Sequence, residues 1–133
     1  MLFDYNFTIP AHTEQAFPFV GIARLTRGRL TQINVMFPPG PATLVHVAVR
    51  HALHQLLPAN YDGDVNFDDM VVSSLLHYDL IDSPYELYIY GWSPDAVYQH
   101  DITFQFNVEP LEGDNWDAFN RTLFLLNNRM RDR

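Results

Sequence analysis

The sequence lacks cysteine and lysine, and each absence limits what the protein can be. Without cysteine, the chain of 133 residues has neither disulfide bonds nor thiolate metal ligands. All eight basic residues are arginine, and sixteen acidic residues bring the net charge to -8. A chain of this charge repels a phosphate backbone, so we predict no nucleic-acid partner.

Long apolar runs and catalytic motifs are also missing. No stretch approaches the roughly 20 apolar residues that a membrane-spanning helix needs, and the N-terminal segment lacks the basic start of a signal peptide. The sequence contains neither a glycine-rich phosphate loop nor a nucleophile elbow. We therefore predict a soluble protein with no membrane partner, no cofactor and no catalytic residues, which means that it is not an enzyme.

What the sequence does contain is strand periodicity, and it is clearest near residues 85–109. Ile102, Phe104, Phe106 and Val108 alternate with polar residues, which is typical of a strand with one buried and one wet face. Residues 85–92 alternate in the same way. The simplest prediction is that these two strands form a hairpin closed by the loop 93–99.

Similar segments recur at about ten-residue spacing along residues 1–110, which predicts an antiparallel β-sandwich of seven to nine strands. One such segment begins at Leu2 and ends at Ile9. A second, residues 17–26, is apolar on both faces. Residues 43–57 fit either a strand or an amphipathic helix, and β-branched valines at alternate positions favour the strand.

The last part of the chain, residues 111–133, has a different period. Its apolar residues recur at steps of three and four, which predicts one amphipathic helix that packs on the sandwich or on a neighbouring subunit. Asp114 is the predicted N-cap. The apolar stripe consists of Trp116, Phe119, Leu123, Leu126 and Met130.

Two clusters resemble metal sites without matching a known motif. His46, His51 and His54 lack the glutamate of the HExxH motif, so the preferred interpretation is a polar face that is solvated or paired with the nearby acidic residues. The acidic loop 62–69 has oxygen ligands at alternate positions but not the glycine and glutamate of an EF-hand. We predict no metal site, and calcium binding by this loop stays open.

An aromatic row is the best candidate for a binding surface. Tyr88, Tyr90 and Trp92 lie on one face of the strand 85–92. Rigid aromatic rings of this kind anchor protein interfaces, stack on sugar rings or fill a core. We name these three residues and the apolar stripe of residues 111–133 as the predicted interface.

The order FPPGPATLVHVAV, then HQLLPANYDGD, then PYELYIYGW resembles small β-sandwich proteins of phage virions, namely capsid decoration and head-accessory proteins. The resemblance covers roughly residues 37–92. It implies a jelly-roll-like sandwich that forms a homo-oligomer, with a trimer favoured, and that binds a major capsid protein. The predicted function is therefore that of a structural virion subunit, located in the virion if the protein is viral and in the cytoplasm otherwise. The alternative is a carbohydrate-binding β-sandwich module.

Overall fold

A computed structural model describes residues 1–111, and these residues form eight strands and no helix. The strands are β1 (Leu2–Ile9), β2 (Phe19–Arg24), β3 (Gly28–Phe37), β4 (His46–His51), β5 (His54–Leu57), β6 (Met70–Leu80), β7 (Glu86–Trp92) and β8 (His100–Glu109). The prediction of a mostly β protein is confirmed. The predicted helix with its stripe Trp116, Phe119, Leu123, Leu126 and Met130 lies outside the described residues.

The strands form two antiparallel sheets of four. The first has the order β1-β8-β3-β6 and the second the order β2-β7-β4-β5. The pairs β1·β8, β2·β7, β3·β6 and β4·β5 are nested, as in one long hairpin folded back on itself. Successive pairs along that hairpin fall in opposite sheets.

One buried cluster contains side chains from both sheets, in a sandwich-like arrangement. Ile102, Phe104, Phe106 and Val108 of β8 are fully buried, as their alternation predicts, and Leu87 and Ile89 of β7 are buried in the same cluster. Apolar burial of this kind is the main stabilising contribution to a β fold. The inner faces of the two sheets therefore form a single core.

The predicted hairpin between β7 and β8 is wrong. Although the two strands are consecutive, β7 pairs with β2 and β4 in one sheet, and β8 pairs with β1 and β3 in the other. The loop between them crosses from sheet to sheet and is held by Thr13, whose carbonyl accepts a 2.8 Å hydrogen bond from the Ser93 N–H. Alternation fixes which face of a strand is buried but does not identify its neighbours.

Residues 43–57 are strand rather than helix, but they form a hairpin instead of one strand. Ala52 makes the turn with a positive φ of 52°, and His51 pairs with His54 across it. Leu53, at the tip of this turn, is 90% exposed.

Candidate interaction surface

The outer face of the second sheet exposes apolar and aromatic side chains in adjacent rows. Where β2 pairs with β7, Tyr88 lies opposite Ile22 and Tyr90 lies opposite Val20. Val20 is 48% exposed and Ile22 is 38% exposed, while the two tyrosines are half-buried. With Arg50 of β4 and Tyr61 from the loop after β5, these residues make up what we call the aromatic face: Val20, Ile22, Arg50, Tyr61, Tyr88 and Tyr90.

The small residues of β2 explain why its larger side chains point outward. Gly21 and Ala23 occupy the inner positions of this strand, and both are buried. A Cβ added at Gly21 would lie 2.6 Å from the ring of Phe7 in β1, so the ring of the opposite sheet needs the space that glycine leaves. Strand alternation then places Val20 and Ile22 on the outside.

Arg50 supplies a cation within the aromatic face. Its guanidinium carbon lies 4.2 Å from the ring centroid of Tyr61 and 4.7 Å from that of Tyr90. Its Nε donates a 3.0 Å hydrogen bond to Oε1 of Gln55 on the next strand. These cation–π contacts and this hydrogen bond fix the arginine against the tyrosines, so the surface is ordered before any partner binds.

Gln55 holds the loop that carries Tyr61. Its side chain is only 4% exposed, and its Nε2 donates hydrogen bonds to the carbonyl oxygens of Pro58, Asn60 and Gly63 at 2.9, 2.8 and 3.2 Å. One buried amide thus donates to three backbone carbonyl groups of the loop, of which that of Asn60 also accepts the Gly63 N–H. The position of Tyr61 therefore depends on a residue beneath the surface.

A cleft of about 300 Å³ adjoins one end of the aromatic face. Tyr88 belongs to both, and Glu86, next outward along β7, also lines the cleft. Its other walls come from the β4–β5 turn and from the β6–β7 connection. The cleft therefore offers a tyrosine ring beside a carboxylate, a combination that suits a polar ligand with a flat apolar side.

The three residues of the predicted aromatic row differ in exposure. Tyr88 and Tyr90 lie on the aromatic face, as their alternation indicates. Trp92 is 7% exposed and stacks on His46, with ring centroids 5.8 Å apart. It therefore contributes little surface to a partner.

The histidine cluster is divided between two places. His46 makes a 2.9 Å contact with the Asp64 carboxylate. His51 shares a 2.6 Å hydrogen bond with the hydroxyl of Tyr78, and His54 stacks on the same ring. Because Tyr78 belongs to β6 in the first sheet, this contact joins the two sheets at one edge.

Burial alters the titration of this edge cluster. Partial burial, together with the nearby His54, lowers the pKa of His51, and burial raises the pKa of Tyr78. Both shifts favour the neutral forms that share the hydrogen bond.

Within residues 1–111, no three histidine, aspartate or glutamate side chains gather as metal ligands. The acidic loop uses its carboxylates separately. Asp64 contacts His46 and accepts a hydrogen bond from Asn66. Asp68 accepts hydrogen bonds from the backbone N–H groups of Gly40 and Ala42, which ties the loop to the β3–β4 connection.

Taken together, the fold defines a mostly β protein of two antiparallel four-stranded sheets around one core. No protein-family model matches the sequence, and a search of curated proteins returns no match. A search of the described residues for membrane-spanning helices finds none.

Sequence reasoning missed four members of this surface: Val20, Ile22, Arg50 and Tyr61. A signal for the first two was present, because residues 17–26 are apolar on both faces although one face of a sheet in a two-layer protein meets water. The contribution of Arg50 and Tyr61 depends on the β4–β5 hairpin and the loop after it, whose path the sequence pattern does not reveal.

Proposed function

We propose that this protein is a non-enzymatic structural subunit that assembles through its surfaces and has a jelly-roll fold. The nested strand pairing supports the jelly roll, because eight strands that roll up as one long hairpin give two four-stranded sheets of this order. Jelly rolls are common in viral capsid and lectin domains. Fold alone does not imply function, so we base the assembly role on the aromatic face.

The observation that carries the proposal is an apolar and aromatic surface on a folded sheet. Val20 and Ile22 are exposed beside Tyr88 and Tyr90, and Arg50 is held in place by the tyrosine rings. Tyrosine and arginine are enriched at the centres of protein interfaces because they bury much area at low entropic cost. An ordered surface of this composition is suited to contact another protein.

We further propose that the assembly is a virion, with the protein as a capsid decoration or head-accessory subunit. This extension rests on the resemblance of residues 37–92 to such proteins and on the use of jelly rolls in capsids. In this proposal the chain forms a homo-oligomer, a trimer, and binds a major capsid protein. The segment 111–133, with its apolar residues, is proposed as a second contact region.

The aromatic face is tested by measuring mass in solution with a matched pair of variants. Sedimentation of the wild-type protein at micromolar concentration should give three times the chain mass of 15.4 kDa, or a whole multiple of that trimer mass. Ile22→Arg should weaken association at least about tenfold, equivalent to about 1.4 kcal/mol, because it buries an unpaired charge. Asn6→Arg is the control, since Asn6 is an exposed residue on the edge strand of the other sheet.

A wild-type monomer at this concentration, or equal weakening by both variants, would contradict the role of the aromatic face in self-association. The virion proposal has a separate test, which is mass spectrometry of particles purified from the source. The chain should be present there in a fixed ratio to the main shell protein, and its absence from such particles would refute the proposal.

A carbohydrate-binding module is the second candidate, and the cleft beside Tyr88 favours it. Sugar rings stack on exposed tyrosines while carboxylates such as that of Glu86 accept hydrogen bonds from hydroxyl groups. Calorimetric titration with oligosaccharides tests this candidate. Binding that is lost in Tyr88→Ala and kept in Tyr98→Ala, a substitution at an exposed loop tyrosine, would favour it over the assembly proposal.

A further inference from the structure

Strand β6 has an edge with no partner among residues 1–111. It begins at Met70, ends at Leu80, and pairs only with β3. Its outward side chains include Val71, which is 57% exposed, and Leu75, which is 80% exposed. A long edge strand with exposed apolar side chains is a template for pairing with another strand.

The other three edges are better protected. Strand β1 carries Asp4, Asn6 and Thr8 on its outer face, and β2 and β5 are shorter. Proteins commonly prevent edge pairing with lysine, proline or inward charges, and β6 has none of these. Its charged residue, Asp79, is near the end of the strand.

We propose that β6 pairs edge to edge with β6 of a second copy of this chain. The two strands run antiparallel about a two-fold axis at Ser73, so that residues 70–76 of one copy lie along residues 76–70 of the other. This contact is separate from the aromatic face and does not depend on it. A self-complementary strand pair of this kind has the symmetry of a two-fold dimer.

The outward side chains select this register. With the axis at Ser73, Val71 of each copy faces Leu75 of the other, and Asp69 comes level with His77. An axis at Leu75 would place Val71 opposite Asp79. An axis at Ser74 would place Val71 opposite His77. The register at Ser73 is the one among these that matches apolar with apolar side chains and an acid with a histidine, the cross-strand pairs that stabilise sheets.

Because the chain has no cysteine, a single introduced cysteine can form a disulfide only with the same cysteine of a second copy. Such a disulfide therefore detects this contact. Directly opposed residues of an antiparallel pair have Cα atoms about 4.5–5.5 Å apart, within the range that a disulfide spans. Ser73→Cys should therefore form a disulfide-linked dimer under mild oxidation at least about tenfold faster than the control Asn6→Cys. Asn6 is likewise exposed and on the outer face of the first sheet, but on the opposite edge strand.

A mixture tests the register itself. Val71→Cys and Leu75→Cys should crosslink to each other when combined, and much more slowly when each is alone, because neither position faces its own copy. In the protein without introduced cysteines, Ser73→Lys should weaken self-association because it places two like charges opposite each other. Asn6→Lys should leave self-association unchanged.

Crosslinking of Ser73→Cys at the same rate as Asn6→Cys would overturn the proposal, and so would a wild-type mass that Ser73→Lys does not lower. Failure of the β6 proposal would not refute the role of the aromatic face, because Ile22 and Ser73 lie in different sheets. Conversely, a wild-type mass that responds to Ser73→Lys but not to Ile22→Arg would support the β6 contact and refute the aromatic one.

Discussion

The outer faces of the two sheets are built on the same alternation but carry different side chains. The first sheet exposes mainly polar side chains on β1, β3 and β8 and apolar ones, Val71 and Leu75, on its edge strand β6, whereas the second exposes apolar and aromatic groups around Arg50. The polar side chains of the first sheet hydrogen-bond to each other, for example Gln32 to Asn34 and Asn107 to Thr31. Its outer face includes Asn6, Thr8, Gln32, Asn34, Ser73, Thr103, Gln105 and Asn107.

The difference shows that the core does not dictate what the surface carries. Both sheets supply alternating buried residues to one cluster, and either outer face would remain folded with polar residues. Exposing Val20 and Ile22 adds nothing to the core. An apolar surface that the fold does not require is the feature expected of a contact surface.

The largest expected difference in stability loss is between two amide substitutions, one in each sheet. Gln55→Ala removes the buried amide that donates to three loop carbonyl groups and accepts from Arg50, so it should destabilise the protein by about 2–3 kcal/mol. Asn107→Ala, on the wetter face of the first sheet, should cost less than about 1 kcal/mol. Urea unfolding followed by circular dichroism measures both, and equal losses would show that the loop after β5 does not depend on Gln55.

A smaller effect is expected at the arginine of the aromatic face. Arg50→Lys keeps the charge but loses the planar stacking on Tyr61 and Tyr90, and should cost about 0.5–1 kcal/mol. Arg24→Lys, at an exposed position two residues after Ile22, is the matched control and should cost almost nothing. The same unfolding assay compares them, and a loss at Arg24 as large as that at Arg50 would show that stacking contributes nothing.

The smallest expected effect is a pH dependence where the two sheets meet. The pKa of His51 is lower in the folded protein than in the unfolded chain, so below about pH 6.5 the unfolded chain binds the proton more readily. This part of the stability is complete above that pH and is lost on acidification. Thermal unfolding between about pH 8 and pH 5 should show a fall that is shallower in His51→Gln, and an identical fall in both proteins would contradict this role for His51.

The sequence predicted which side of each strand is buried, because alternation follows directly from strand geometry. Ile102, Phe104 and Phe106 are fully buried as expected, and Leu2–Ile9 is a strand with the predicted bounds. Tyr88 and Tyr90 were found on an outer face for the same reason.

Which strands pair with each other could not be predicted from side-chain alternation. Strands β7 and β8 are neighbours in sequence, but the fold places them in different sheets because β8 lies between β1 and β3. The turn at Ala52 was missed because it contains no glycine, proline or asparagine, the residues that usually mark a positive φ. The members of the aromatic face come from four separate parts of the chain, so only the folded topology brings them together.

The difference between the outer faces is tested most directly by hydroxyl-radical footprinting at low and at high protein concentration. We expect Val20, Ile22, Tyr88 and Tyr90 to lose reactivity as the protein assembles, while Leu2, exposed on β1 of the first sheet, keeps its reactivity. Protection of Leu2 with unchanged labelling of the aromatic face would contradict this expectation.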